Sequence, residues 1–508
     1  MMRHIFMCHV FNAVCVMTCV AASAQAATPP VWAGYAGNAQ HTAPAPAAGQ
    51  ALAAIHWQTP VDDMPQYSSD SLLIHYASPM ITANNVVLLP VKTQIAGGFE
   101  VQARSGARGT LRWTLPSDWV LPTSAQWTPS FPAATTGQNT LYAAGAGGTI
   151  LFRDHANMAT GATGRLAFYG IDLYNAHASE LTADVVIDTP ITSDAAGNIY
   201  FGFLVQADNP AKLVSGIARI SRTGVGSWVS ATAASAVSTV TQVAMNCAPA
   251  VSANGKTIYI AVSNGSAGYL LGLDSKTLAT QYKVALTDPS SGLPAWVTDI
   301  STASPTIGPD GDVYYGVLES AYGDHNGRGW LLHFDATLAK SKTPGSFGWD
   351  DTASVVPAAS VSGYIGKSTY LLMTKYNNYI HLGGGNGENK IAILDPHAHQ
   401  PDEYCVRPSC TKPVTVMKEV ITQLGPTAAA AGGVYEWCIN SSAVDAHSAS
   451  IFAGSEDGHF YRWDLATNKL SQSLFLNAPR TEAYTPSLVG PDGTVYSINN
   501  ATLYAIGN

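Results

Sequence analysis

The sequence predicts an all-β, eight-bladed β-propeller of four-stranded antiparallel blades, and three observations carry that expectation. A short phrase recurs: "SPTIGPDGDVYYG" begins at Ser304 and "TPSLVGPDGTVYSI" at Thr485. Charged residues make up only 12% of the 508, while 46 Gly and 29 Pro suit short strands and tight turns better than helices with charged outer faces. The last repeat stops at "ATLYAIGN" after three strands, whereas "ALAAIHWQTPV" from Ala51 is a strand with no blade of its own. Pairing of that N-terminal strand with the last blade closes the ring and leaves no free sheet edge.

Residues 1–26 read as a signal peptide. Arg3 and His4 precede an apolar stretch, and Ala24-Gln25-Ala26 has the small-x-small form of a cleavage site. This points to a secreted or periplasmic protein, with residues 27–508 as a single propeller domain and no further segment long enough to span a membrane. A net charge of −9 offers no basic stripe, which argues against nucleic acid as a partner.

The blades follow in order. A small residue, usually a hydroxyl followed by proline, opens a slot at Ser78, Thr128, Thr189, Ala248, Ser304, Val356, Ser441 and Thr485, the unit at Ser441 lacking its proline. Spacings are about 40 to 60 residues, with one of about 85 that implies an insertion at about 396–436. Each proline opens an inner strand, where its missing N–H need not pair, and D-G or N-G makes the hairpin turn. An alternating strand such as "DVYYGV" follows, and third and fourth strands complete the blade. Seven blades is the alternative, if the unit at Ser441 merges with its neighbour.

Cys8, Cys15 and Cys19 leave with the signal, so the mature chain keeps Cys247, Cys405, Cys410 and Cys438. An even number suits disulfides in an oxidising compartment, with Cys405 and Cys410 closing a small loop and Cys247 pairing with Cys438. Four cysteines allow three connectivities in all.

Loops from a fourth strand to the next blade share a face with those joining second and third strands, and that face surrounds the mouth of the channel. Aromatic and acidic residues gather just before the slots: Tyr67 and Asp70; Trp119 and Trp127; Trp296 and Asp299; Trp349 and Asp350; Glu436 and Trp437; Arg480, Glu482 and Tyr484. Rings beside carboxylates suit a sugar, a polyol or an organic cation, and the same tryptophans could instead fill the gaps between blades. Two long second-to-third connections, "ESAYGDHNGRGW" and "TKYNNYIHLGGGNGENK", add Lys375 and Asn377 as binding candidates. If the face is catalytic, His325, Asp350 and Tyr376 are the candidates for proton transfer.

Other motifs carry less. His397, His399, Asp402 and Glu403 in "DPHAHQPDEYC" read as a solvated loop on the opposite face, and no metal is expected there. "LGGGNGENK" lacks the ending of a phosphate loop, and neither G-x-S-x-G nor H-E-x-x-H occurs.

"WAGYAGNAQHTA" from Trp32, the proline-led repeats and the "LYAIG" third strand resemble the quinoprotein-like (PQQ-like) β-propeller superfamily. That resemblance implies the propeller fold and leaves the activity open, because the superfamily includes quinone-dependent dehydrogenases, an outer-membrane assembly scaffold and many secreted proteins. The dehydrogenase branch carries adjacent cysteines beneath its cofactor and T-G-x-x-x-W docking repeats. This chain has no adjacent cysteines, and its corresponding turns read "DSKTLATQY" and "DLATNKLSQ". PQQ with Ca²⁺ is therefore disfavoured. The reading is a monomeric binding or scaffold module whose channel mouth takes a small polar molecule, glycan or protein; the alternative is a PQQ-like oxidoreductase or a polysaccharide lyase or hydrolase on the same face.

Overall fold

The computed structural model describes residues 31–68, 71–72, 76–95, 97–122, 130–297, 303–320, 329–376, 378, 386–404, 413–430, 432–437, 439–479 and 486–508. They form an eight-bladed β-propeller. The inner strands are Met80–Ile81, Ala133–Thr135, Val185–Ile187, Ala250–Val251, Thr306–Ile307, Ser354–Pro357, Val444–Asp445 and Ser487–Val489, for blades 1 to 8 in turn. Val185–Ile187 and Thr192–Ser193 both pair with the second strand of blade 3, and Gln242–Val243 shares that role with Ala250–Val251 in blade 4.

Closure follows the sequence expectation. Ala54–Pro60 is the outer strand of blade 8 and runs antiparallel to Thr502–Gly507, with Ile55 opposite Ile506 and Trp57 opposite Ala505. The Trp57 indole donates to the Gly106 carbonyl of blade 1 at 2.7 Å and packs on Tyr496 of blade 8, so the seam is bridged by a ring. Second strands are mostly buried; Thr257–Ser263, Val313–Leu318 and Tyr370–Tyr376 have no exposed residue. Strands covered on both faces by neighbouring blades draw their stability from apolar area removed from water, roughly 25 cal/mol per Å².

The recurring hydroxyl at the slot has a structural reason. It joins neighbouring inner strands: Ser304 Oγ accepts from Ala248 N at 2.9 Å, Thr352 Oγ1 accepts from Ser304 N at 2.9 Å, and Ser487 Oγ accepts from Ala443 N at 2.9 Å. Ser354 Oγ donates to Ser442 O at 2.7 Å and accepts from Ser442 N at 3.2 Å. The blade 6 slot is thereby corrected. Pro357 ends its inner strand instead of opening it, and Thr352, not Val356, stands in the hydroxyl position, accepting from Ser304 N as Ser304 accepts from Ala248 N.

Blade 6 also has the longest hairpin, Lys390–Pro401 with Thr415–Leu424. The outer strand of blade 5 is only Gly345–Ser346, and the hairpin leans over it: Met417 N donates to Pro344 O at 2.8 Å, and Ser346 Oγ donates to Asp402 at 2.8 Å.

The segment before the closing strand was not anticipated as an element. Residues 31–50 run round the inside of the ring and meet the blades in order. Ile81 exchanges backbone hydrogen bonds with Trp32, Thr135 N donates to Ala33 O, Val251 N to Ala39 O, Ile307 N to Gln40 O, Val355 N to Thr42 O and Val444 N to Ala43 O, and Gln50 N reaches Gly493 O. Blade 3 is touched at Ile191, whose carbonyl lies beside Gly34. These bonds use the channel-facing edge of the inner strands near their first hairpin turns. The segment is a plug across one end of the channel. Tight curvature is met by left-handed residues, including Ala36, Gly37, His41 and Ala43, and by Asn38 Oδ1, which accepts from Gln40 N and Thr42 N.

Candidate functional site

Tyr35 belongs to the plug and is buried. Its hydroxyl meets Thr352 Oγ1 at 2.8 Å, and burial pushes its pKa well above the ordinary tyrosine value. Cys247 lies beside it as a free, buried thiol; burial raises its pKa to about 12, its sulfur accepts from Ala261 N at 3.5 Å and it hydrogen-bonds the Tyr315 hydroxyl. The expected link from Cys247 to Cys438 is thus corrected: the sulfur is sealed in the core at 1% exposure, between blade 4 and blade 5. Over the plug, Tyr35, Tyr76, Ser78, Ser130, Asn246 and Asn440 enclose a cavity with only about 20 Å³ open to the centre of a water molecule. That is room for a water or two. Cys247 has no neighbouring cysteine, so it cannot form the adjacent pair that the dehydrogenase resemblance implies.

The polar groups at the blade 6 rim turn inward. Lys375 Nζ pairs with Asp350 Oδ2 at 3.2 Å, with side chains only 1% and 3% exposed. Asp351 accepts from Thr374 Oγ1 at 3.0 Å and from Lys375 N at 3.2 Å. Burial drives the Asp351 pKa up to about 7 against the pull of Lys375, with Asp350 adding to the rise. Tyr376 is fully buried, 4.8 Å from the Phe347 ring, with the Lys390 ammonium 5.2 Å from its own ring. Asp350, Lys375 and Tyr376 are therefore buried side chains.

The tryptophans divide. Trp119 is 3% exposed, stacks on Phe99 and Phe131 and donates Nε1–H to Ile187 O at 3.0 Å, joining blades 1 to 3. Trp349 and Trp437 are buried as well, the latter edge-on to Tyr461. All three rings are thus buried among the described residues. Trp296 and Tyr67 remain open, at 38% and 37% exposure. Trp296 is tied to Leu318 by two backbone bonds of 3.0 Å, and the Tyr67 hydroxyl donates to Asn500 at 2.7 Å. Glu436 is half-buried, its carbonyl accepting from Glu456 N. Asp70, Trp127, Asp299, His325, Asn377, Arg480, Glu482, Tyr484, Cys405, Cys410 and Cys438 lie outside the described residues.

Tyr35 and the plug were missed by the sequence reading. The available signal was a run of small, uncharged residues before an unpaired strand, narrow enough to thread a channel.

No family model and no curated protein matches the chain. Solved structures do. A europium-containing methanol dehydrogenase is similar over 92% of this chain and 89% of its own, at 10% identity and a TM-score of 0.54. The quinohemoprotein alcohol dehydrogenase from Comamonas testosteroni is similar over 96% and 82%, at 12% identity and a TM-score of 0.52. BamB from Moraxella catarrhalis is similar over 90% and 99%, at 11% identity and a TM-score of 0.46. The shared feature is the eight-bladed β-propeller fold, and at these identities the likeness extends to the fold alone.

Proposed function

We infer that this chain is an exported binding or scaffold module and not a quinone-dependent oxidoreductase. The observation that supports this most strongly is the axial plug: among the described residues, Trp32 to Gln50 bond to the inner strands round the ring, and the cavity beside Tyr35 is lined by uncharged residues. A partner is then met on the outer rim of the loop-bearing face, where Tyr67 and Trp296 present aromatic surface. Open rings favour sugar C–H faces and protein side chains alike. No helix among the described residues is long and apolar enough to cross a membrane.

The test is a thermal-shift and glycan-panel screen on the mature protein, with Trp296→Ala and Tyr67→Ala beside the wild type. A rim ligand raises the wild-type melting temperature by mass action, and one of the two substitutions weakens it tenfold or more. Dye reduction after adding PQQ and Ca²⁺ would overturn the reading.

A further inference from the structure

On the opposite face, the hairpin of blade 6 meets the first turn of blade 5 through a group of side chains that the rim site does not use. Asp310 and Asp312 come from the GPDG turn, and His397 comes from the Lys390–Pro401 strand. One ligand-capable atom from each lies within 4.8 Å of the others. His397 Nε2 is 3.2 Å from Asp310 Oδ2.

The hydrogen bonds fix which atoms are left. Ser368 Oγ donates its only hydrogen to Asp395 Oδ1 at 2.5 Å, so its contact with His397 Nδ1 at 3.1 Å requires Nδ1–H to be the donor. His397 Nε2 therefore faces Asp310 Oδ2 directly, as an ion pair when the imidazole carries both protons and as two ligand atoms ready to share a metal ion when Nε2 gives its proton up. Asp310 Oδ1 accepts from Tyr370 OH at 2.8 Å and Asp312 N at 3.0 Å, which leaves Oδ2 directed at the imidazole. Asp312 Oδ2 is held by His333 Nε2 at 2.8 Å and by Lys342 Nζ, while its Oδ1 is outside these bonds. His333 is 1% exposed and stacked on Tyr314, so it orients the carboxylate from behind. Ligating groups held by such outer partners are characteristic of metal centres.

We propose that Asp310, Asp312 and His397 form a binding site for a divalent transition metal of the zinc type, which clips the blade 6 hairpin to blade 5. Two ligands at about 2.0–2.1 Å from a tetrahedral zinc stand about 3.3–3.4 Å apart, close to the spacing of His397 Nε2 and Asp310 Oδ2. One imidazole with two carboxylates selects zinc and its neighbours over calcium or magnesium, which take all-oxygen sets. The Lys342 side chain is 36% exposed and can swing to solvent when the metal takes over its neutralising role.

The experiment uses the mature chain stripped with EDTA, titrated with Zn²⁺ by calorimetry and with Co²⁺ by visible absorption. The wild type binds one equivalent, shows cobalt d–d bands and melts at a higher temperature with zinc. Asp310→Asn and His397→Ala each weaken binding a hundredfold or more and abolish the thermal gain. His397 is exposed enough for its variant to keep the fold, as near-UV circular dichroism checks. His399→Ala, two residues along the same strand, and Cys405→Ser with Cys410→Ser leave binding unchanged. No saturable binding by the wild type would overturn the proposal, as would affinity unmoved by Asp310→Asn and His397→Ala or lost with His399 or the cysteines.

Discussion

Two buried titrating residues work against each other. His41 in the plug donates Nδ1–H to Pro305 O at 2.7 Å with Tyr35 against its ring edge, and burial lowers its pKa to about 4. Its neutral form is the folded form, so its contribution is complete above the ordinary histidine value and is lost as pH falls towards 4. Asp351, with a folded pKa raised to about 7 and faced by Lys375, Asp350 and Thr374, behaves oppositely. Folding retains its proton, and that contribution declines as pH rises from the ordinary carboxylate value through 7. Urea melts from pH 4 to 7 should therefore show stability rising on acidification in His41→Gln, where Asp351 acts without His41. Asp351→Asn should show a steeper loss on acidification than the wild type. Parallel profiles for the three proteins would refute the assignment.

At the scale of elements, the slot hydroxyls and the second strands carry the weight. Ser354→Ala leaves both Ser442 N and Ser442 O without their partner and should cost about 1–3 kcal/mol by urea denaturation. Ile258→Asp places a charge at a fully buried position of blade 4 and should cost more than about 4 kcal/mol, abolishing the cooperative melt. The blades were legible in the sequence because each repeats the same local chemistry of hydroxyl, proline, D-G turn and alternating strand. Blade 6 was legible only to within four residues, since its proline follows the hydroxyl of Thr352 at a different spacing. The plug was not legible: its small residues follow neither strand nor helix period, and their path is set by bonds to the inner strands. Nor could composition sort the tryptophans. A propeller places them both between blades, as at Trp119, and at the rim, as at Trp296.

The whole molecule is a ring closed twice, by the outer strand Ala54–Pro60 at the seam and by residues 31–50 along the axis. Trp57→Ala, at a half-buried ring spanning blades 8 and 1, should cost about 2 kcal/mol, less than a fully buried tryptophan, and a neutral effect would count against closure through this strand. The axial closure is the feature on which the proposed binding role rests. In an open propeller the channel-facing amides of the inner strands meet water. Here Thr135, Val251, Ile307 and Val444 donate those amides to Ala33, Ala39, Gln40 and Ala43. Native-state hydrogen exchange at these four amides measures the plug directly. The account predicts exchange only through global unfolding, slowed alongside the strands of the blade core; exchange at the rate of open, solvated amides would show an unplugged channel and contradict it.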